Sequence, residues 1–300
     1  MLVGGSGLLG ANLFAMLPHV EWVPTYFAPL IMSCPQAVSL DLSDEIAVSV
    51  LVEQVQPRVI VHVAGITKPD VCEQAPELSR RVNVLGSLHL IAAARQHGCR
   101  LIFLSSDLVF DGKKDVAYRE SDLVNPETVY GRHKVEVENL IQRELSDYLI
   151  IRTGIMYGWS PSRNSLAEWV VERLAKGEPA DLFADQYRNH TFVGDMVAFI
   201  QMMAFSQTRG FVHLASPECT SKAELGREIA QAFGYDPTLV RKVSFRDFPR
   251  RASVPARNAL DVTRAMSELH VHARSLREGV LAFRQQQTER YPKQFKQWYP

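Results

Sequence analysis

Short apolar runs and helical stretches take turns along the first half of the chain. Residues 21–27, 59–63, 101–104 and 149–152 are compact, mostly apolar segments of strand length. Between them, residues 44–55, 76–97 and 126–143 carry apolar side chains at helical spacing. This alternation predicts βαβ units, and hence an α/β fold whose parallel sheet is covered on both faces. The punctuation agrees. Pro57 follows the helix ending near Val55, and Gly98 follows the one ending near His97, where a left-handed C-cap is expected.

Beyond Gly154 the rhythm loosens. Leu166–Ala175 and Lys222–Phe233 read as helices, residues 211–214 as a strand, and residues 282–297 as a polar tail with aromatic tips. The expected organisation is a dinucleotide-binding domain over residues 1–153 and a smaller, mainly substrate-binding lobe over residues 154–300. Part of that lobe, near residues 185–215, returns to the sheet.

Composition narrows the partners. Three hundred residues, 46% of them hydrophobic, are enough to bury a large core. Lys and Arg total 33 and Asp and Glu total 33, so a net charge of zero gives no long-range attraction to nucleic acid or to an anionic membrane. No run approaches the ~20 apolar residues of a membrane span, and no secretory leader pattern opens the chain, so a cytoplasmic protein is expected. Cys34, Cys72, Cys99 and Cys219 lack Cys-x-x-Cys spacing and fit reduced thiols. No metal is expected, because His270 and His272 have no third ligand nearby in the sequence.

The chain opens Met-Leu-Val-Gly-Gly-Ser-Gly-Leu-Leu-Gly. In a strand-turn-helix unit, Gly4 would permit the tight turn, Gly7 would let backbone approach a pyrophosphate, and Gly10 would let the helix pack against the strand. The pyrophosphate then rests on free N–H groups at the start of a helix whose apolar face begins with Leu8 and Leu9. Glycines also mark plain loops. Only Met1 to Val3 are available for the first strand, so either the strand is short or the chain starts inside a longer coding sequence; a weak first strand is expected.

Asp41 and Leu42 follow the second strand region, where a carboxylate can accept from an adenine amino group while Leu42 packs on the ring. The other reading places Asp41 in a turn before a Ser43 helix cap. Ala64 and Gly65 end the third strand with side chains small enough for a dinucleotide to lie against backbone. Thr25-Tyr26-Phe27 lacks the acid that would bind a ribose 2′-hydroxyl, which favours NADPH and leaves NADH open.

Chemistry concentrates at Ser105-Ser106-Asp107, after the fourth strand, and at Tyr130-Gly131-Arg132-His133-Lys134, early in a helix. Tyr130 and Lys134 share one helix face at a spacing of four. A lysine there, or an oxidised nicotinamide, would lower the phenol pKa from its usual ~10 towards working pH. Tyr130 would then serve as general acid for a ketone oxygen, with Ser106 donating a second hydrogen bond.

Several segments together give the chain a family resemblance: Gly4-x-x-Gly7-x-x-Gly10, Val82-Asn83, Ser105 to Gly112, Tyr118-Arg119-Glu120 with Asn125-Pro126, and Val129-Tyr130-Gly131-x-x-Lys134. Arg152-Thr153, Asp185-Gln186-Tyr187 and Asn258-Ala259-Leu260-Asp261 extend it over most of the length. In these residues the chain resembles the extended short-chain dehydrogenase/reductases, and within them the dTDP-4-dehydrorhamnose reductases. The resemblance implies a Rossmann-type doubly wound sheet with a smaller C-terminal lobe, and a catalytic set of Ser106, Tyr130 and Lys134. It implies that Asn83 orders a proton-relay water, with a buried amide holding backbone as the alternative. It further implies a nucleotide-sugar substrate, a 4-keto-6-deoxyhexose, near Ser106, Asp107, Val109 and Phe110.

Arg152 and Arg188 are the candidates to meet the diphosphate, each with a surface or structural ion pair as its other reading, and Arg257, unusually placed, is a further substrate-binding candidate. Leu108 stands where related dehydratases carry glutamate, which disfavours dehydration. His190 replaces a proline of the family pattern, and residues 254–258 depart from it as well, so the particular sugar is left open. The same resemblance admits an epimerase, another carbonyl reductase, or a non-catalytic NADP-binding regulatory subunit like the methionine adenosyltransferase β subunit. A homodimer is compatible with the sequence, which does not set the oligomeric state.

Overall fold

The computed structural model describes residues 1–27, 35–160 and 165–288. Its main sheet contains β1 (Leu2–Val3), β2 (Pro24–Tyr26), β3 (Val38–Ser39), β4 (Val59–His62), β5 (Arg100–Leu104), β6 (Tyr148–Arg152) and a late strand, β10 (Gly210–His213). All seven run parallel, in the spatial order β3-β2-β1-β4-β5-β6-β10. The chain works outward from β1 to β3 and then returns to β4. That reversal opens a crevice beyond the carboxyl ends of β1 and β4, where open α/β sheets bind ligands.

Side chains alternate across this sheet at the two-residue period of a strand. Leu2, Val61, Ile102, Leu149 and Ile151 face one core, packed with α1 (Leu8–Met16) and α8 (Val193–Met203). Val3, Ile60, Leu101, Phe103 and Ile150 face the other. There they meet α2 (Glu45–Val55), α5 (Gly86–His97) and α6 (Val129–Glu144). The first strand has two residues, yet it occupies the middle of the sheet. Leu2 and Val3 are 0% and 1% exposed, and burial of each contributes ~1.5–3 kcal/mol. The Met1 amine donates to the Val59 carbonyl at 2.8 Å, which extends the pairing by one residue.

One helix absent from the sequence reading, α3 (Pro69–Gln74), begins with proline, as does α4 (Pro76–Arg80); the fixed φ of proline suits a first helical position. The expected helix over residues 76–97 is α4 and α5 joined by one π turn, Arg81–Leu85, which carries Asn83. The expected helix at 126–143 starts later, at Val129, because Thr128 caps it: the Thr128 hydroxyl accepts from the Gly131 N–H at 3.0 Å. Ser43 is not a helix cap. Asp44 takes that role, accepting from the Ala47 N–H at 2.9 Å.

The remaining elements build the lobe: β7 (Ile155–Tyr157), α7 (Leu166–Ala175), β8 (Ala180–Phe183), β9 (Tyr187–Phe192), β11 (Cys219–Ser221), α9 (Lys222–Phe233), β12 (Val240–Val243), β13 (Arg257–Asn258) and α10 (Leu276–Thr288). Ser165 and Ser221 start α7 and α9 with reciprocal capping boxes to Glu168 and Glu224. β9 is the lobe's hub and pairs with β7, β11 and β13. The tail expected over residues 282–297 begins as the end of α10, and its residues after 288 lie outside the described residues. No helix among the described residues is long and apolar enough to cross a membrane.

Candidate active site

The crevice at the strand reversal is the mouth of a cleft of about 830 Å3 between the sheet and the lobe. Gly4, Gly7, Leu8, Leu9 and Gly10 line it on one side, and Asp41, Leu42, Ala64 and Gly65 line it beside them. A Cβ on Gly10 would collide with the Gly4 carbonyl oxygen, so the helix sits directly on the turn. Gly7 caps α1 without any side-chain hydrogen bond, leaving the helix start open to an incoming anion. The Asp41 carboxylate accepts from the Ser43 N–H and hydroxyl, both at 2.8 Å, so it forms a turn while still edging the cleft.

Asn83 does not line the cleft. Its amide bonds both backbone groups of Ile66, accepting from the N–H at 2.7 Å and donating to the carbonyl at 3.0 Å. In the protein alone its amide therefore holds backbone. Gly65, at φ 152°, accommodates it, since a Cβ there would lie 2.8 Å from the Asn83 side-chain oxygen.

Ser106 and Tyr130 meet at the end of β5. The Ser106 hydroxyl and the Tyr130 phenol lie close enough for Ser106 to draw the phenol's pKa down. Ser106 also donates to Asp107 Oδ1 at 3.0 Å and accepts from the Leu108 N–H at 3.1 Å. Both face the cleft. Glu73 Oε1 accepts from the Val129 N–H at 2.7 Å, a second cap that fixes the start of α6 and therefore Tyr130. Lys134 lies behind them, with Nζ donating to the Leu104 carbonyl at 2.8 Å and sitting 4.4 Å from the Phe103 ring centre.

The electrostatics differ from the sequence expectation. Burial pushes the Tyr130 phenol well above its usual value, the Asp107 and Cys72 charges add to that, and the nearby Ser106 hydroxyl opposes it. Burial outweighs any lowering by Lys134 in the protein alone, so Tyr130 is held in its protonated form. Burial pushes the Lys134 ammonium down to about 8, while the charges of Glu138 and Cys72 hold it up.

Of the arginines expected to meet substrate, none presents a free guanidinium to the cleft. Arg152 is 3% exposed and forms a two-point ion pair with Glu138, Nε to Oε1 at 3.0 Å and Nη2 to Oε2 at 2.7 Å. Arg188 reaches the cleft wall, but its three nitrogens meet Asp107 Oδ2 at 3.1 Å and the carbonyls of Tyr187 and Pro255 at 2.7 and 2.6 Å. Burial drives Asp107 up and Arg188 down, and each charge opposes the shift of the other. Arg257 is exposed on β13, away from the lining. Val109 and Phe110 are fully buried in a small core with Tyr118 and Leu260, behind the cleft.

Three other lobe residues reach the cleft. Gln186, Lys222 and Arg250 line the lobe wall. The Gln186 amide nitrogen is buried and meets no hydrogen-bond partner within the described protein. Lys222 Nζ and the Arg250 guanidinium sit 4.9 and 4.7 Å from the Phe183 ring centre. Burial, then the charges of Arg250 and Arg188, push Lys222 down to about 8. Gln186 was within reach of sequence reasoning, since it sits inside Asp185-Gln186-Tyr187. Lys222 and Arg250 carry no local pattern.

Residues 1–288 match the model of the RmlD substrate binding domain. The chain belongs to that family. Relatives of this RmlD-family chain include the probable low-salt glycan biosynthesis reductase Agl14 of Haloferax volcanii, 28% identical over 94% of this chain and 95% of that one. The dTDP-4-dehydrorhamnose reductase of Aggregatibacter actinomycetemcomitans is 29% identical over 88% and 90%. The methionine adenosyltransferase 2 subunit beta of Xenopus laevis is 28% identical over 81% and 75%. Among solved structures, dTDP-4-dehydrorhamnose reductase from Bacillus anthracis in complex with NADP superposes with a TM-score of 0.85 at 24% identity, covering 95% and 98% of the two chains. Thermus thermophilus UDP-glucose 4-epimerase in complex with NAD gives 0.78 at 22%, covering 94% and 98%. These two likenesses establish the Rossmann-type fold.

Proposed function

We propose that this RmlD-family chain is an NADPH-dependent reductase of a nucleoside-diphosphate 4-keto-6-deoxysugar, able to use NADH to a lesser degree. The convergence of Ser106, Tyr130 and Lys134 beside an uncapped, glycine-bounded helix start carries this reading. The cleft fits the cofactor. Gly7 and the α1 start receive the pyrophosphate, Asp41 and Leu42 receive the adenine end, and Ala64 and Gly65 leave backbone for the nicotinamide half to lie on. Thr25, Tyr26 and Phe27 present no carboxylate to a 2′-phosphate. When bound, NADPH supplies the hydride.

Tyr130 gives its proton to the ketone oxygen as charge develops there, and burial keeps it protonated until then. Ser106 donates to the same oxygen, turning from Asp107 to do so. Lys134, charged below about pH 8, steadies the tyrosinate that forms and holds the nicotinamide ribose. Leu108 supplies no acid or base for dehydration. The Gln186 amide together with Lys222 and Arg250 meets the diphosphate, because two cations with no carboxylate partner among the described residues need an anion.

The relatedness to methionine adenosyltransferase 2 subunit beta favours a second reading, a cofactor-binding regulatory subunit. One assay separates the two. Loss of NADPH absorbance is followed against a panel of nucleotide-linked 4-ketosugars, with NADPH affinity measured in parallel. Turnover of at least one sugar is expected. Saturable NADPH binding with no turnover on any of them, together with co-purification with a synthetase, would move the regulatory reading forward. A tightly retained NAD that does not exchange would point to an epimerase.

A further inference from the structure

Behind the cleft floor lies a buried polar cluster for which the proposed reaction has no use. Glu138 follows Lys134 by one turn on the buried face of α6, and the two are 2% and 7% exposed. Its carboxylate is held from β5 and β6 at once: Ser105 Oγ donates to Oε1 at 2.6 Å, and Arg152 grips both oxygens. The Arg152 guanidinium is itself fixed, 4.4 Å from the Phe211 ring centre and 5.1 Å from that of Phe110. With three hydrogen bonds on two oxygens, this carboxylate is immobile and does not swing towards solvent.

Lys134 has the opposite surroundings. Its ammonium rests on neutral groups, the Leu104 carbonyl and the Phe103 ring. A buried ammonium held only by neutral groups sheds its proton readily. The titratable groups around it are Tyr130 and Glu138 on its own helix, Cys72 on α3 and His62 on β4. Burial holds His62 neutral, with its pKa pushed down to about 3, and raises the Cys72 thiol. Tyr130 is held protonated as well. Glu138, ion-paired with Arg152, is therefore the carboxylate that stands one turn from Lys134 on the same buried helix face.

We propose that Glu138 is a positioning residue: clamped by Arg152 and Ser105, it keeps a fixed negative charge one helical turn behind Lys134 and so keeps Lys134 protonated for catalysis. The catalytic part of this statement rests on the reductase reading, while the effect on Lys134 does not. Arg152 then has a defined place, as the clamp that makes a buried carboxylate tolerable and sets its direction.

The test is the titration of Lys134 itself, followed by NMR of its Cε and Nζ in the whole protein without substrate. In Glu138→Gln the midpoint is expected to fall by about one pH unit relative to wild type, the low end for losing a nearby opposite charge. Because that variant leaves Arg152 buried and unpaired, the double variant E138L/R152M replaces the pair with apolar groups of similar size; there a smaller fall in the same direction is expected, since the positive charge of Arg152 goes with the negative charge next to Lys134 on α6. Glu138→Asp, which keeps the charge, leaves the midpoint near its wild-type value. An unchanged midpoint in the double variant overturns the proposal, whatever happens to stability. Inactivity on every ketosugar would sink the reductase reading and leave this titration standing on its own.

Discussion

On its β1 side the cleft is made of backbone. Gly4, Gly7, Gly10, Ala64 and Gly65 bring main chain to the surface, and the helix start supplies polarity without a charged side chain. On its lobe side the cleft is made of long side chains from distant elements: Gln186 before β9, Lys222 at the start of α9, and Arg250 from the segment after β12. Under the proposed function the contrast separates two tasks. A backbone cradle suits a cofactor that is the same in every turnover, whereas side chains can be exchanged to fit one sugar or another without disturbing the sheet. Between the two walls, Asp107 on the β5 side pairs with Arg188 on the lobe side, a buried link across the cleft.

Breaking that link has the largest expected effect on the fold. Arg188→Met leaves Asp107 buried with its main opposite charge removed and is expected to destabilise the protein by about 3–5 kcal/mol in a denaturant melt. A change under ~0.5 kcal/mol would show that the two walls are joined by packing alone. Lys222→Ala addresses the lobe wall by itself. Losing one charge-assisted contact costs about 1.5–3 kcal/mol, so KM for the sugar nucleotide should rise at least tenfold while NADPH affinity stays put. An equal loss of NADPH affinity would merge the two walls into one site.

The pH profile sharpens the same division with smaller steps. Lys134 has a folded-state pKa of about 8 against an ordinary 10.5, so its charge is present below pH 8 and lost above it. The expected kcat therefore falls up to ~tenfold per unit above pH 8. The linkage has the opposite sign for stability. Between pH 8 and 10.5 the unfolded chain binds a proton at this site that the folded chain does not, so this group makes stability rise with pH over that window. Activity should thus decline while the fold holds. Lys222, also near 8, would move KM rather than kcat over the same range.

The glycine-lined wall of the cleft was legible in the sequence because its determinants are local. Three glycines at fixed spacing, a strand end of small residues and a Tyr-x-x-x-Lys on one helix each act within a few residues of one another. The doubly wound sheet was legible for the same reason, since each βαβ unit announces itself by a change of period. What stayed hidden needed the third dimension. Asn83 lies on a π turn that helical periodicity does not reveal, and its partner Ile66 is 17 residues away. Arg152 and Arg188 carry the charge a diphosphate wants, but Glu138 and Asp107 reach them first across the fold. Lys222 and Arg250 are unremarkable in sequence and become a pair only when α9 and the segment after β12 meet over Phe183. The phenol of Tyr130 was expected low and lies high, because burial depends on how α6 packs under the lobe.

The central claim is that Tyr130 delivers the proton on a wall built to hold the cofactor. Steady-state turnover of Tyr130→Phe, with NADPH affinity measured on the same preparation, tests it most directly. The expected kcat is lower by at least ~100-fold, the low end for a lost general acid, with NADPH affinity unchanged. Turnover within a few-fold of wild type would contradict it and place the proton donor elsewhere.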